Sequence, residues 1–105
     1  MTEMTAAELA YKAAEIMSER GHCKGILEDK QGRVCFVGAL EAASCRGYLQ
    51  HSIVYITAGQ ILRERGFPHW SAVPHWSAVH YNNDPDVTGE DVIMLLKETG
   101  KRLGG

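Results

Sequence analysis

Hydrophobic positions recur at helical spacing in four stretches of the chain. In the first, Ala6, Leu9, Ala10, Ala13, Ile16 and Met17 share one face, and Glu8, Lys12, Glu15 and Glu19 take the other. Thr5-Ala6-Ala7-Glu8 has the form of a capping box, in which the Thr5 hydroxyl and the Glu8 carboxylate satisfy backbone N–H groups left free by the first turn. A helix is therefore predicted from there to Gly21, with Glu8 and Lys12 in the favourable i, i+4 order. Residues 34–43 begin with β-branched and aromatic types and end in strong helix formers, which predicts a short helix entered from an extended residue or two. Phe36, Ala39, Leu40 and Ala43 then lie on one face, and Gly38 lets a neighbouring helix approach closely.

From Tyr48 to Arg65, the residues Leu49, Ile53, Ile56, Ile61 and Leu62, with Val54 and Ala58 beside them, form a wide apolar stripe. Arg63-Glu64-Arg65-Gly66 closes it with cations at the negative helix end, and this predicts the central helix. Thr88-Gly89-Glu90-Asp91 supplies an N-cap with acids in the first turn. Val92, Leu95, Leu96, Thr99 and Leu103 follow at helical spacing, so a last helix is predicted over 88–102. Between the first two helices, residues 22–34 carry glycines and charges, with a turn at Lys30-Gln31-Gly32-Arg33, and fit a loop or small hairpin.

Composition narrows the class. The chain has 105 residues, 45% hydrophobic and 23% charged, with a net charge of -2, which predicts one soluble domain over residues 1–105. No apolar run reaches the length of a membrane span, and the first residues lack the layout of a secretion signal, so no membrane association and a cytoplasmic location are expected. Three cysteines do not build the even framework of a small secreted fold and are read as reduced thiols.

Residues 66–87 break the pattern. They hold all three prolines and both tryptophans, and PHWSAV occurs twice in succession, at 68–73 and 74–79. Proline disfavours a continuous helix, so a long loop between the third and fourth helices is predicted. Held extended, Trp70 and Trp76 point the same way, roughly 18 to 20 Å apart. If each proline instead opens a helical turn, the copies need not share a face. Tryptophan joins large apolar area to a hydrogen-bond donor, so Phe67, His69, Trp70, His75 and Trp76 are candidate partner-contact residues. The bland alternative is a tolerated duplication with one tryptophan plugging the core.

Other chemistries are weaker. His22, Cys23, Cys35, Cys45, His69, His75 and His80 lack the spacing of a zinc site, so no metal and no cofactor are expected. Asn82-Asn83-Asp84-Pro85-Asp86 is rich in oxygen ligands but fits a turn into the last helix better than a calcium loop. Residues 66–96 contain no Lys or Arg while holding Asp84, Asp86, Glu90 and Asp91, which argues against nucleic-acid binding. A thiol enzyme is the alternative to a binding module. Cys35 near a helix start would be the nucleophile, with a histidine such as His75 as base and Asp84 or a neighbouring Asn orienting it.

Three features in order carry a family resemblance. They are His22-Cys23-Lys24-Gly25, then Cys35-Phe36-Val37-Gly38-Ala39-Leu40, then Tyr81-Asn82-Asn83-Asp84-Pro85 with Thr88 and the Glu90-Asp91-Val92 to Leu96 helix. The chain resembles a family of small proteins of actinobacteria and of the phages that infect them. His22 and Tyr81 stand where that family usually has Trp, and the second PHWSAV looks like an extra copy of a loop that relatives carry once. The resemblance implies a helical domain of phage type and carries no agreed activity. The sequence reading is thus a mostly α, four-helix domain whose 66–87 loop engages a host protein without catalysing a reaction.

Overall fold

The computed structural model describes residues 4–44, 46, 48–67 and 74–104, with the side chains of 74–76 outside that description. Among these residues there are five helices: α1 (Ala6–Arg20), α2 (Phe36–Ala43), α3 (Tyr48–Glu64), α4 (Pro74–Asn83) and α5 (Gly89–Arg102). The caps are those the sequence encodes. Glu8 N–H donates to Thr5 Oγ1 and Thr5 N–H to Glu8 Oε1, each at 3.1 Å, and Thr88 and Asp91 make the same reciprocal pair at the start of α5. With Glu8 engaged in the cap, Lys12 pairs with Glu15 at 3.6 Å rather than with Glu8.

The expected count of four helices is corrected to five, because the second PHWSAV copy is helical. Pro74 stands at the first helical position, where its missing N–H costs nothing and its fixed φ suits the turn. The stripe that α4 buries is Ser77, Ala78, Tyr81 and Asn82, so half of it is polar and conceals the period. The proposed loop over 66–87 is therefore cut short, and an extended backbone spanning both copies does not hold at Trp76. His69 and Trp70 lie outside the described residues, as do the side chains of His75 and Trp76.

The mostly helical chain closes one core, in which Leu9, Met17, Phe36, Leu40, Ile61 and Leu95 are almost fully buried. α1 packs most extensively on α5 and next on α2, while α3 packs chiefly on α4. A Cβ at Gly100 would stand 2.8 Å from the Tyr11 ring, so the missing side chain is what lets α1 and α5 approach. The buried stripe of α3 is Val54, Thr57, Ala58, Ile61 and Leu62, whereas Leu49 and Ile56 face outward. Thr57 hides this stripe in the sequence, because a polar residue sits at its centre.

Residues 21–35 make no regular strand but are hydrogen bonded like a miniature mixed sheet. Val34 bridges His22 in parallel and Glu28 in antiparallel fashion. Val34 N–H donates to Gly21 O and Val34 O accepts from Cys23 N–H, both at 3.0 Å. On the other side, Asp29 N–H donates to Arg33 O at 3.0 Å and Cys35 N–H to Leu27 O at 3.1 Å. Gly38 does permit a close approach, but of this segment rather than of a helix. A Cβ there would lie 1.9 Å from Leu27 O and 2.8 Å from its carbonyl carbon. Because the obstacle is backbone held by the Cys35 amide, Gly38→Ala is expected to destabilise the fold by about 2 to 3 kcal/mol, as overpacking of a tight contact does. Urea unfolding of the variant measures this loss. Gly25→Ala, which meets open space at a positive φ, should cost less than that.

Candidate functional site

The turn after Gly21 is fastened to the end of α4 by one buried carboxamide. Asn82 is 2% exposed. Its Oδ1 accepts from the Phe36 backbone N–H at 3.0 Å and pairs with His22 Nε2 at 2.8 Å. Its Nδ2 donates to Cys23 O at 3.3 Å and to Asn83 Oδ1 at 3.1 Å. Because a carboxamide oxygen only accepts, His22 carries a hydrogen on Nε2. Asn83 Oδ1 in turn accepts from Gly25 N–H at 2.9 Å. Lys24 completes the seam: its ammonium donates to Val87 O at 2.7 Å and to Asp84 O. Residues 22–25 are thus bound by side chain and backbone to 82–87, some sixty positions away in sequence.

A cleft of about 220 Å³ opens beside this seam. Its walls are Ile26 and Leu27 from the turn, Cys35, Phe36 and Val37 from the start of α2, and Val79 from α4, with Asn82 and Asn83 at the polar end. Ile26 and Leu27 are 56% and 52% exposed, so the rim presents apolar area to solvent. Cys35 is the N-cap of α2, its sulfur accepting from Gly38 N–H at 3.3 Å, a cap normally made by oxygen.

The catalytic candidates are not all brought to this place. Cys35 lines the cleft. Asp84 turns its carboxylate into its own loop, where Oδ1 accepts from Asp86 N–H at 2.8 Å. The side chain of His75 lies outside the described residues. An asparagine does orient a histidine, as the sequence reading allowed, but the pair is Asn82 with His22. The parallel bridge puts His22 on the opposite face from Cys35, and a Cβ at Gly89 would fall 2.6 Å from the His22 Cβ. The Nδ1 edge of His22 therefore lies by the start of α5, while its Nε2 is taken by Asn82. Of the partner-contact candidates, Phe67 packs edge-on against Tyr81, ring centres 4.9 Å apart, and is partly buried. Sequence reasoning missed the Asn82 clamp because Asn82-Asn83-Asp84-Pro85 has the composition of a turn; the only local hint was its excess of side-chain amides.

Burial holds the His22 imidazole below its usual pKa, opposed by the Asn82 hydrogen bond and reinforced by Lys24. The unfolded chain then takes up this proton before the folded one does, so His22 favours the fold above about pH 6.5 and that contribution fades as pH falls toward its folded pKa. The slope is no steeper than the one-proton limit of about 1.4 kcal/mol per pH unit, and solvent reaching the half-buried ring reduces it. Chemical denaturation between pH 7.5 and 5 is expected to show this decline, and His22→Gln, which keeps an N–H donor, should flatten it. Asn82→Ala strands the Phe36 amide and the Cys23 carbonyl and should cost about 3 kcal/mol at neutral pH.

The chain matches a family of unknown function (DUF6197) over residues 1–102. No curated protein and no solved structure matches it. The matched span takes in the turn at 22–27, the start of α2 and the α4 to α5 junction, so the whole seam and its cleft fall within it. By that match the protein belongs to the family DUF6197.

Proposed function

We propose that this protein is a binding module that receives an apolar side chain of a partner protein in the cleft between the 25–27 turn, the start of α2 and α4. The observation that carries the reading is an apolar cavity of about 220 Å³ whose rim residues, Ile26 and Leu27, are both more than half exposed. A rigid concave surface with apolar walls and a few fixed amides at one end suits a side-chain anchor. Gly38 and the Asn82 carboxamide set the walls from the backbone, so the cleft exists before anything enters it. The duplicated segment adjoins it: Val79, the last residue of the second PHWSAV, is one of the walls. In this reading Trp70 and Trp76, whose side chains lie outside the described residues, remain candidate contact residues, and the resemblance to proteins of actinobacterial phages makes the partner a protein of the bacterial host, engaged in its cytoplasm.

Burying a leucine side chain contributes about 1.5 to 3 kcal/mol, and each 1.4 kcal/mol is tenfold in affinity. Affinity capture from an actinobacterial lysate supplies the partner, and titration with the purified partner supplies the test. Leu27→Asp is expected to weaken binding at least tenfold while its thermal unfolding and circular dichroism stay close to those of the parent. Unchanged affinity in this variant rejects the cleft. If Trp70→Ala with Trp76→Ala then abolishes binding, the duplicated segment carries it instead.

A further inference from the structure

Two buried thiols sit on neighbouring extended segments of the turn. The parallel bridge between His22 and Val34 makes Cys23 and Cys35 the next pair in register. Cys23 is held to its neighbour by its own N–H on Val34 O, and Cys35 keeps an extended backbone, φ -90 and ψ -178, before α2 begins. Residues paired across parallel chains point to the same face, and neighbouring extended chains lie about 4.8 Å apart. That spacing falls within the roughly 4.4 to 6.8 Å Cα separation a disulfide spans. Both cysteines are buried, 8% and 7% exposed. They differ in access: Cys35 lines the cleft, whereas Cys23 lies under the turn, its single S–H shared between Ile26 O at 3.3 Å and Arg33 O at 3.2 Å. Burial pushes the Cys23 thiol up, and the Cys35 sulfur is the next largest cause, which fits two sulfurs that feel each other.

We propose that Cys23 and Cys35 are a modification site, a dithiol that a small hydroperoxide entering the cleft converts to an intramolecular disulfide. The Cys35 sulfur attacks the nearer peroxide oxygen; the O–O bond breaks, the thiol proton passes to the departing oxygen, and a sulfenic acid and water or an alcohol result. Cys23 sulfur then attacks Cys35 sulfur, the S–O bond breaks, and the departing hydroxide takes the Cys23 proton and leaves as water. Two electrons pass from the thiols to the peroxide. The closed form has a structural consequence, because Cys23 no longer donates to Ile26 O. The turn that carries Ile26 and Leu27 loses its S–H bond at Ile26 O but keeps the Leu27 carbonyl on the Cys35 amide. The proposal goes beyond the binding reading and stands whether or not the cleft receives a protein.

The test treats the folded protein with hydrogen peroxide, quenches with an alkylating agent under denaturing conditions, and maps it by trypsin without reduction. Peptide 21–24 joined to peptide 34–46 is expected, reversed by dithiothreitol. Because 34–46 also contains Cys45, the mapping is repeated in Cys45→Ser, where the same link must remain. In Cys23→Ser, the Cys35 sulfenic acid should accumulate and be trapped by dimedone. Any of three results overturns the proposal: both cysteines still alkylated after peroxide, Cys35 oxidised while Cys23 stays free in the parent, or a link that runs only between chains or to Cys45. The parent mapping decides the matter even if the Cys23 variant fails to fold.

Discussion

One buried carboxamide ties the turn after α1, the start of α2 and the end of α4 together. Asn82 offers two donors and two acceptor positions, and all four are used: on the start of α2, on the backbone and ring of the His22-Cys23 pair, and on the neighbouring Asn83. A buried amide so placed is costly if any partner is withdrawn and rigid while all are present. Among the described residues no buried side-chain nitrogen or oxygen lacks a partner. The irregular stretch between α1 and α2 owes its shape to this satisfaction of polar groups as much as to apolar burial. Lys24 reinforces the same junction from outside by saturating two carbonyls beyond the end of α4.

Fixing the seam fixes the cleft. The Leu27 carbonyl is pinned by the Cys35 amide and lies against the bare Cα of Gly38, so the turn can neither lift from α2 nor sink into it without losing a hydrogen bond or making a clash. The cavity wall is then a consequence of backbone geometry rather than of side-chain choice. The same register that fixes the wall puts Cys23 and Cys35 on one face and His22 and Val34 on the other, with Cys35 alone of the two thiols lining the cleft. Binding surface and redox-active pair, on this account, are two products of one short hydrogen-bonded ladder.

Much of the frame was legible in the sequence because it is written in local signals. Thr5 with Glu8 and Thr88 with Asp91 mark helix starts through contacts only three residues apart, and the α2 boundary follows from where β-branched residues give way to helix formers. α4 was only half legible, since proline reads both as a breaker and, at a first helical position, as an initiator, and since Ser77 and Asn82 interrupt its apolar stripe with residues whose burial needs distant partners. α3 shows the opposite error: Leu49 and Ile56 fit an apolar stripe by type, while the face turned inward is centred on Thr57. The site was legible only in fragments. Cys35 at a helix start and an asparagine orienting a histidine both follow from residue types, but the pairing of Asn82 with His22 is a contact across sixty residues that no local period encodes.

The exposed apolar residues of α3 sharpen the choice of surface. Tyr48 and Leu49 are 84% and 70% exposed, more open than Ile26 and Leu27 at the cleft rim. Yet exposure alone is the ordinary condition of surface side chains, since most of a folded protein's accessible area is apolar. What distinguishes an anchor site is a cavity that excludes water around the inserted group, together with polar groups already oriented. Tyr48 and Leu49 are not among the walls of this cleft, whereas Ile26 and Leu27 flank it and its polar end is held by a fully bonded amide. A side chain entering there meets walls that need not rearrange, so little of the attraction is spent on ordering them. Preorganisation, more than apolar area, is therefore the property that singles out the cleft.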